Sequence, residues 1–159
     1  MKSKFSELAK GYKRQISNSF FLVDGEHIKE VVDGVNEVAQ SEPFCVTRKI
    51  DGTMQVLLYR DGEAVAVSTS GAELRGLPCL DEFAALVERA GLKSATAVGE
   101  LYAVLSDTGR ERVFDVARAV ADESLHGKLK LAIFDIIDLD EETVGSSYRE
   151  KIKEIGRLF

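Results

Sequence analysis

Phe5, Leu8 and Tyr12 recur at the three- and four-residue intervals of one helix face, and they predict a short amphipathic helix ending near Gly11 or just beyond. Phe20 to Val23, before Asp24-Gly25, reads as a short buried strand and turn. From His27 to Gln40 the apolar positions Ile28, Val31, Val32, Val35 and Val38 keep a helical period. Gly34 is tolerated there at about 1 kcal/mol relative to alanine. These elements make residues 1–42 a helical lead-in. Phe44 to Ile50 is strand-like, and Gln55 to Tyr59 continues after Gly52. Asp61-Gly62 then joins it to Ala64–Ser68, a strong hairpin signal.

Further on, Asp81 is expected to cap a helix that carries Phe83, Leu86 and Val87 on one face and stops at Gly91. Ala95 to Leu105 reads as a long strand. Ser106 to Gly109 turns it back into a strand at Arg112–Phe114, after which Asp115 caps a short helix. Lys128 to Ile137 reads as a core strand. Ser147 and Glu150 form a capping-box pattern for a last helix striped by Tyr148, Ile152, Ile155 and Phe159. Hairpins interspersed with helices predict an α+β fold of antiparallel sheets with packed helices.

At 159 residues, 45% hydrophobic and 30% charged, the chain suits one folded domain over 1–159. No linker, repeat or low-complexity tract divides it. No run reaches the ~18 apolar residues of a membrane span, and the first residues lack a signal-peptide core, so a cytoplasmic protein is expected. Cys45 and Cys79 are read as buried thiols, and His27 and His126 as surface histidines. A net charge of −6 excludes a surface that grips nucleic acid all over. It leaves room for local basic patches, such as Lys2, Lys4, Lys10, Lys13 and Arg14.

The chemistry concentrates at Lys49-Ile50-Asp51-Gly52. With an ordinary pKa near 10.4, only about one lysine in a thousand is neutral at pH 7. Burial, or a cation brought by the substrate, would favour the nucleophilic amine. On an extended chain Asp51 would share a face with Lys49, where it could orient the amine or hold a metal-bound water.

Three features follow in order: Ser68-Thr69-Ser70-Gly71, Gly99-Glu100-Leu101 and Ile133-Phe134-Asp135-Ile136. With the lysine tetrapeptide they resemble the successive motifs of the nucleotidyltransferase domain shared by ATP-dependent DNA ligases, RNA ligases and mRNA-capping enzymes. The resemblance covers about Val46 to Phe159. It implies an ATP-grasp-like fold in which Lys49 takes the adenylyl group of ATP with Mg2+ as cofactor. That group then passes to a 5′-phosphate on a nucleic-acid end, DNA being preferred over RNA. By the same resemblance Glu100 meets the ribose or the metal and Phe134 stacks on adenine, while Thr47, Arg48, Gly52 and Ser70 line the nucleotide.

The chain departs from the DNA-ligase pattern at several places. Thr69 stands where the second motif offers an arginine, and Thr53-Met54-Gln55 where another arginine is common. Arg48 or Arg75 is a candidate to replace one such phosphate contact. Thr47 stands in place of a glutamate, and Lys-x-Asp-Gly-Thr is familiar from RNA ligases. The two later motifs, with their lysines, have no match before Phe159. The domain is therefore expected to be incomplete at its C-terminal side and weakly active alone. A catalytically silent nucleotide- or partner-binding domain is the reading from another class.

Overall fold

The computed structural model describes residues 4–17, 48–106, 109–145 and 147–159. The strand expected at 20–23, the helix at 27–40, the stretch 44–47, His27 and Cys45 lie outside the described residues. The chain forms two compact units, residues 1–13 with 50–159, and residues 14–49.

The first unit is built on a six-stranded antiparallel sheet. Strands β1 (Thr53–Arg60) and β2 (Glu63–Ser68) make the expected hairpin. Asp61 and Gly62, with φ of 51° and 86°, form a two-residue turn whose twist matches the strands. A short β3 (Glu73–Leu74) adds to β2, while β4 (Ser94–Ala103) pairs with β1 on its other side. β5 (Leu129–Leu139) and β6 (Glu142–Thr143) complete the order β3-β2-β1-β4-β5-β6.

Two helix starts differ from expectation. Helix α2 (Pro78–Arg89) begins a turn before Asp81, because Pro78 at its first position has φ preset and no N–H to leave unpaired. Asp81 sits in the first turn, where a carboxylate favours the positive end of the helix dipole. The stop is as expected. Gly91 takes φ 77°, and Gly91 N–H and Leu92 N–H donate to the carbonyls of Glu88 and Val87 at 2.8 and 3.2 Å. No strand forms at Arg112–Phe114, because β4 is already flanked by β1 and β5 and offers no edge. Val113 instead opens helix α3 (Val113–Ala121), which buries Val116 and Ala119, and Asp115 lies in its first turn.

A 3-10 turn (Glu123–Lys128) leads into β5, and the half-buried His126 rests 3.3 Å from the Val120 carbonyl oxygen. The final helix α4 (Tyr148–Leu158) has both halves of the Ser147–Glu150 capping box. Its stripe is rotated from the expected one. Leu158 is the buried anchor, Tyr148 is exposed, and Phe159 stacks on Phe83 with ring centroids 5.8 Å apart. The half-buried Ile155 packs beside them.

The strand period of two divides the apolar side chains between the sheet's faces. On one face Leu57, Ala66, Leu101 and Ile136 pack with Phe83 and Val87 of α2, Val116 and Ala119 of α3, and Leu158. Cys79 belongs to this core, and burial pushes its thiol up to about 11. On the other face Val56, Leu58, Val65, Val67 and Val98 pack with Ala9 of helix α1 (Lys4–Ser17). That helix runs through Gly11 to Ser17, further than the expected end at or just beyond Gly11, since one glycine costs only about 1 kcal/mol. Ser6 and Ala9 are buried while Leu8 is 37% exposed, so the contact stripe is offset from the expected one.

Candidate nucleotide site

Glu100 lies opposite Met54 on β1 and Ala132 on β5, and so shares the α1-bearing face with Val98 and Phe134. Where β1 begins, the Gly52 N–H donates to Glu100 Oε1 at 3.2 Å. A Cβ on Gly52 would overlap the Leu101 carbonyl oxygen and lie 3.0 Å from Glu100 Cγ. Only glycine lets the chain approach β4 this closely. The glycine of the lysine tetrapeptide and the glutamate of Gly99-Glu100-Leu101 are thus joined in space.

Phe134 reaches this face through a bulge. Pairing passes from Val98↔Asp135 to Gly99↔Ile133, so Phe134 is an extra residue in β5, and a second shift makes Ile137 another. A bulged strand turns its extra side chain beside the next one instead of away from it. Phe134 and Ile137 accordingly both pack in the cluster of Val56, Leu58 and Val98.

Asp135, next to Phe134, is buried and held from two sides. The Tyr12 hydroxyl donates to Oδ2 at 2.6 Å, and Lys151 Nζ of α4 lies 2.9 Å from Oδ1 as an ion pair. Burial first, then this carboxylate, holds the Tyr12 phenol far above its usual range, so it stays a donor. Pattern reading missed this trio, because neither a bulge nor a contact spanning 123 residues is visible in local periodicity. Tyr12→Phe should cost about 1.5 to 3 kcal/mol in urea unfolding, since a buried charged acceptor loses its donor. An unchanged midpoint would show that water replaces the hydroxyl.

The other expected site residues are more scattered. Ser70 is exposed in the turn after β2, with its Oγ 2.8 Å from Ser68 Oγ. Ser68 pairs with Gln55, so this turn stands at the sheet end where β1 starts. Arg75 is not a free phosphate-binding cation, because its guanidinium is bonded to Glu63 and Glu73. Arg48 and Lys49 are exposed, so the burial expected to activate the lysine is not there. The residues from Arg48 to Asp51 lie outside any strand, and the alternation expected to align Asp51 with Lys49 does not apply. Asp51 is exposed, and Thr47 lies outside the described residues. Among the described residues no group of three or more His, Cys, Asp or Glu could by itself hold a metal ion. No described helix is long and apolar enough to cross a membrane.

The mixed arrangement of helices and antiparallel sheet is a fold shared with solved mycobacterial LigD ligase structures. One similar solved structure is a mycobacterial DNA ligase D complexed with ATP and MES. It is 21% identical, with a TM-score of 0.52 over 70% of this chain and 35% of that one. Another is the ligase domain of LigD from M. tuberculosis, 20% identical, with a TM-score of 0.55 over 69% of this chain and 34% of that one. The chain spans about a third of the length of these solved chains. No family model matches the sequence, and no curated protein does.

Proposed function

We propose that residues 1–159 act as the adenylation domain of an ATP-dependent polynucleotide ligase, with Lys49 as the nucleophile and 1–42 as a helical lead-in. The observation that carries this reading is the Gly52–Glu100 hydrogen bond, with Phe134 on the same sheet face. Lys49 is tethered three residues before Gly52, within roughly 11 Å of extended chain. In the reaction Lys49 Nζ forms a bond to the α-phosphorus of ATP, the bond to the bridging oxygen breaks, and pyrophosphate leaves. The nucleophile attacks as the neutral amine after giving one proton to solvent, and its nitrogen releases a second to solvent as the phosphoramidate forms.

Glu100 accepts from the backbone of Gly52 and so is held where a ribose hydroxyl could donate to it. Phe134 offers its half-buried ring to the adenine, and the resemblance assigns Ser70, Arg48 and Thr47 to the bound nucleotide. Magnesium commonly takes one or two carboxylates plus substrate phosphates, a set that Glu100 and Asp51 fit, and there it would neutralise charge on the leaving pyrophosphate. The adenylyl group then goes to a 5′-phosphate end. DNA is the preferred strand, and the sequence Lys49-Ile50-Asp51-Gly52-Thr53 keeps RNA as the second reading.

Intact-mass spectrometry after incubation with ATP and magnesium tests the reading, which expects an adenylate adduct on Lys49. A chain that binds ATP yet forms no adduct, alone or within a longer native protein, would instead be a silent nucleotide-binding domain. Phe134→Leu should weaken ATP binding by about 1 kcal/mol or more, about the cost of a lost base stack. It should cost under about 1.5 kcal/mol of stability, because most apolar volume is kept. If calorimetric affinity stays the same while the unfolding midpoint collapses, Phe134 is a core residue only.

A further inference from the structure

Helices from opposite ends of the chain converge on the carboxylate that follows Phe134. Tyr12 of α1 donates its hydroxyl to Asp135 Oδ2 at 2.6 Å, and Lys151 of α4 is ion-paired with Oδ1 at 2.9 Å. Each helix is itself anchored in a core, α1 by Ala9 on the sheet face that carries Phe134 and α4 by Leu158 on the other. The side chains of Lys151 and Asp135 are 21% and 10% exposed, whereas the arginines paired with Glu141, Glu63 and Glu154 are at least 50% exposed. Burying such a pair adds little net stability over packed apolar groups, because both ions give up water, but it fixes a direction. The strand lacks a fixed direction at this point. Phe134 and Ile137 are the extra residues of β5, paired with no residue of β4. An extra residue leaves the ladder locally broken, so the sheet holds the Phe134 backbone less firmly than that of Asp135, which stands opposite Val98. With Asp135 held at Val98 by its backbone and at Tyr12 and Lys151 by its side chain, β5 cannot pivot at the bulge, and the neighbouring ring keeps one orientation.

We propose that Tyr12 and Lys151 are positioning residues for nucleotide binding, acting through Asp135 to hold the Phe134 ring in the plane of an adenine stack. A binding group works only when its own rotamer is locked to within about 10 to 20° by the residues behind it. Tyr12 contributes twice to that lock, since its ring packs on the same Val56, Leu58 and Val98 cluster as Phe134 while its hydroxyl holds the carboxylate next door. The inference rests on the reading of Phe134 as the adenine-stacking ring. It does not require Lys49 to react.

Titration calorimetry of the full chain tests it, with an ATP analogue whose α,β-bridging oxygen is replaced by methylene so that no adenylyl transfer occurs. Tyr12→Phe should weaken binding about 3- to 10-fold, and by no more than Phe134→Leu does, because a misdirected ring forfeits at most its own stack. In a Phe134→Leu background the same change should cost less than about 2-fold, since the ring it positions is gone. General loosening of the fold would instead weaken both backgrounds alike. Lys151→Arg keeps a charged donor and should stay within about 2-fold of wild type, whereas Lys151→Gln should lose affinity as Tyr12→Phe does. This second pair carries the comparison should Tyr12→Phe not fold. Wild-type affinity in a folded Tyr12→Phe overturns the proposal. So does a loss of equal size with and without the Phe134 ring, a Lys151→Gln that binds as Lys151→Arg does, or a wild type that does not bind the analogue. The ligase reading fails separately, when a chain that binds the analogue forms no Lys49 adduct from ATP itself.

Discussion

Lys49→Ala is expected to remove the adenylate adduct altogether. The substitution deletes the atom that bonds to phosphorus, and no solvent molecule can leave a covalent mark on the chain in its place. Lys49→Arg should be equally silent, because a guanidinium stays protonated and offers no lone pair for attack. Neither change should disturb folding by more than about 0.5 kcal/mol, since Lys49 is exposed. Intact mass and thermal unfolding, measured on the same samples, separate lost chemistry from lost structure. An adduct that survives in Lys49→Ala would assign the nucleophile elsewhere and end the present assignment.

The second large effect belongs to Gly52→Ala. The new methyl group would meet the Leu101 carbonyl oxygen and crowd Glu100 Cγ, so the entry of β1 must move away from β4. Overpacking of this kind costs about 1 to 3 kcal/mol, and a further 1.5 to 3 kcal/mol follows if the bond to the Glu100 carboxylate is lost. The consequence for chemistry should be larger than for stability. A displacement of about 1 Å at a positioned group can cost about 100-fold in rate, and Gly52 ties the lysine tetrapeptide to the glutamate. Adduct formation should therefore slow by about that factor in a chain that still unfolds cooperatively. A rate equal to wild type would mean that the Gly52–Glu100 contact does not position the reacting groups.

The elements most legible in the sequence were those whose signals are local. The hairpin at Asp61-Gly62 needs only two residues able to take positive φ between alternating strands. The Ser147–Glu150 capping box and the Gly91 stop are likewise complete within a few residues. Errors arose where a neighbour decided. Arg112–Phe114 has strand-like residues, yet β4 has no free edge for it and helix α3 begins there instead. The start of α2 shifted because Pro78 outranks Asp81 as a starting signal, a competition that a capping rule applied alone does not see.

For the site, the order of motifs along the chain was readable, since it depends on residue identity and spacing. Their meeting was not. Gly52 and Glu100 are 48 residues apart, and their hydrogen bond exists because β1 and β4 pair in one register that brings Thr53 opposite Leu101. The resemblance pointed Phe134 at adenine, but the bulge that sets it beside Asp135 is a property of two strands together. The sequence by itself determined the mixed α+β character, the hairpin, the Gly91 stop, the Ser147–Glu150 cap and the identity of the reactive lysine candidate, because each follows from the backbone preferences and side-chain chemistry of a few adjacent residues. Only the tertiary structure decided which sheet face Glu100 and Phe134 share, that Tyr12 and Lys151 secure Asp135, and that Phe114 stands in solvent. Those outcomes depend on strand register and on competition for burial between segments far apart in the chain, which no local pattern records.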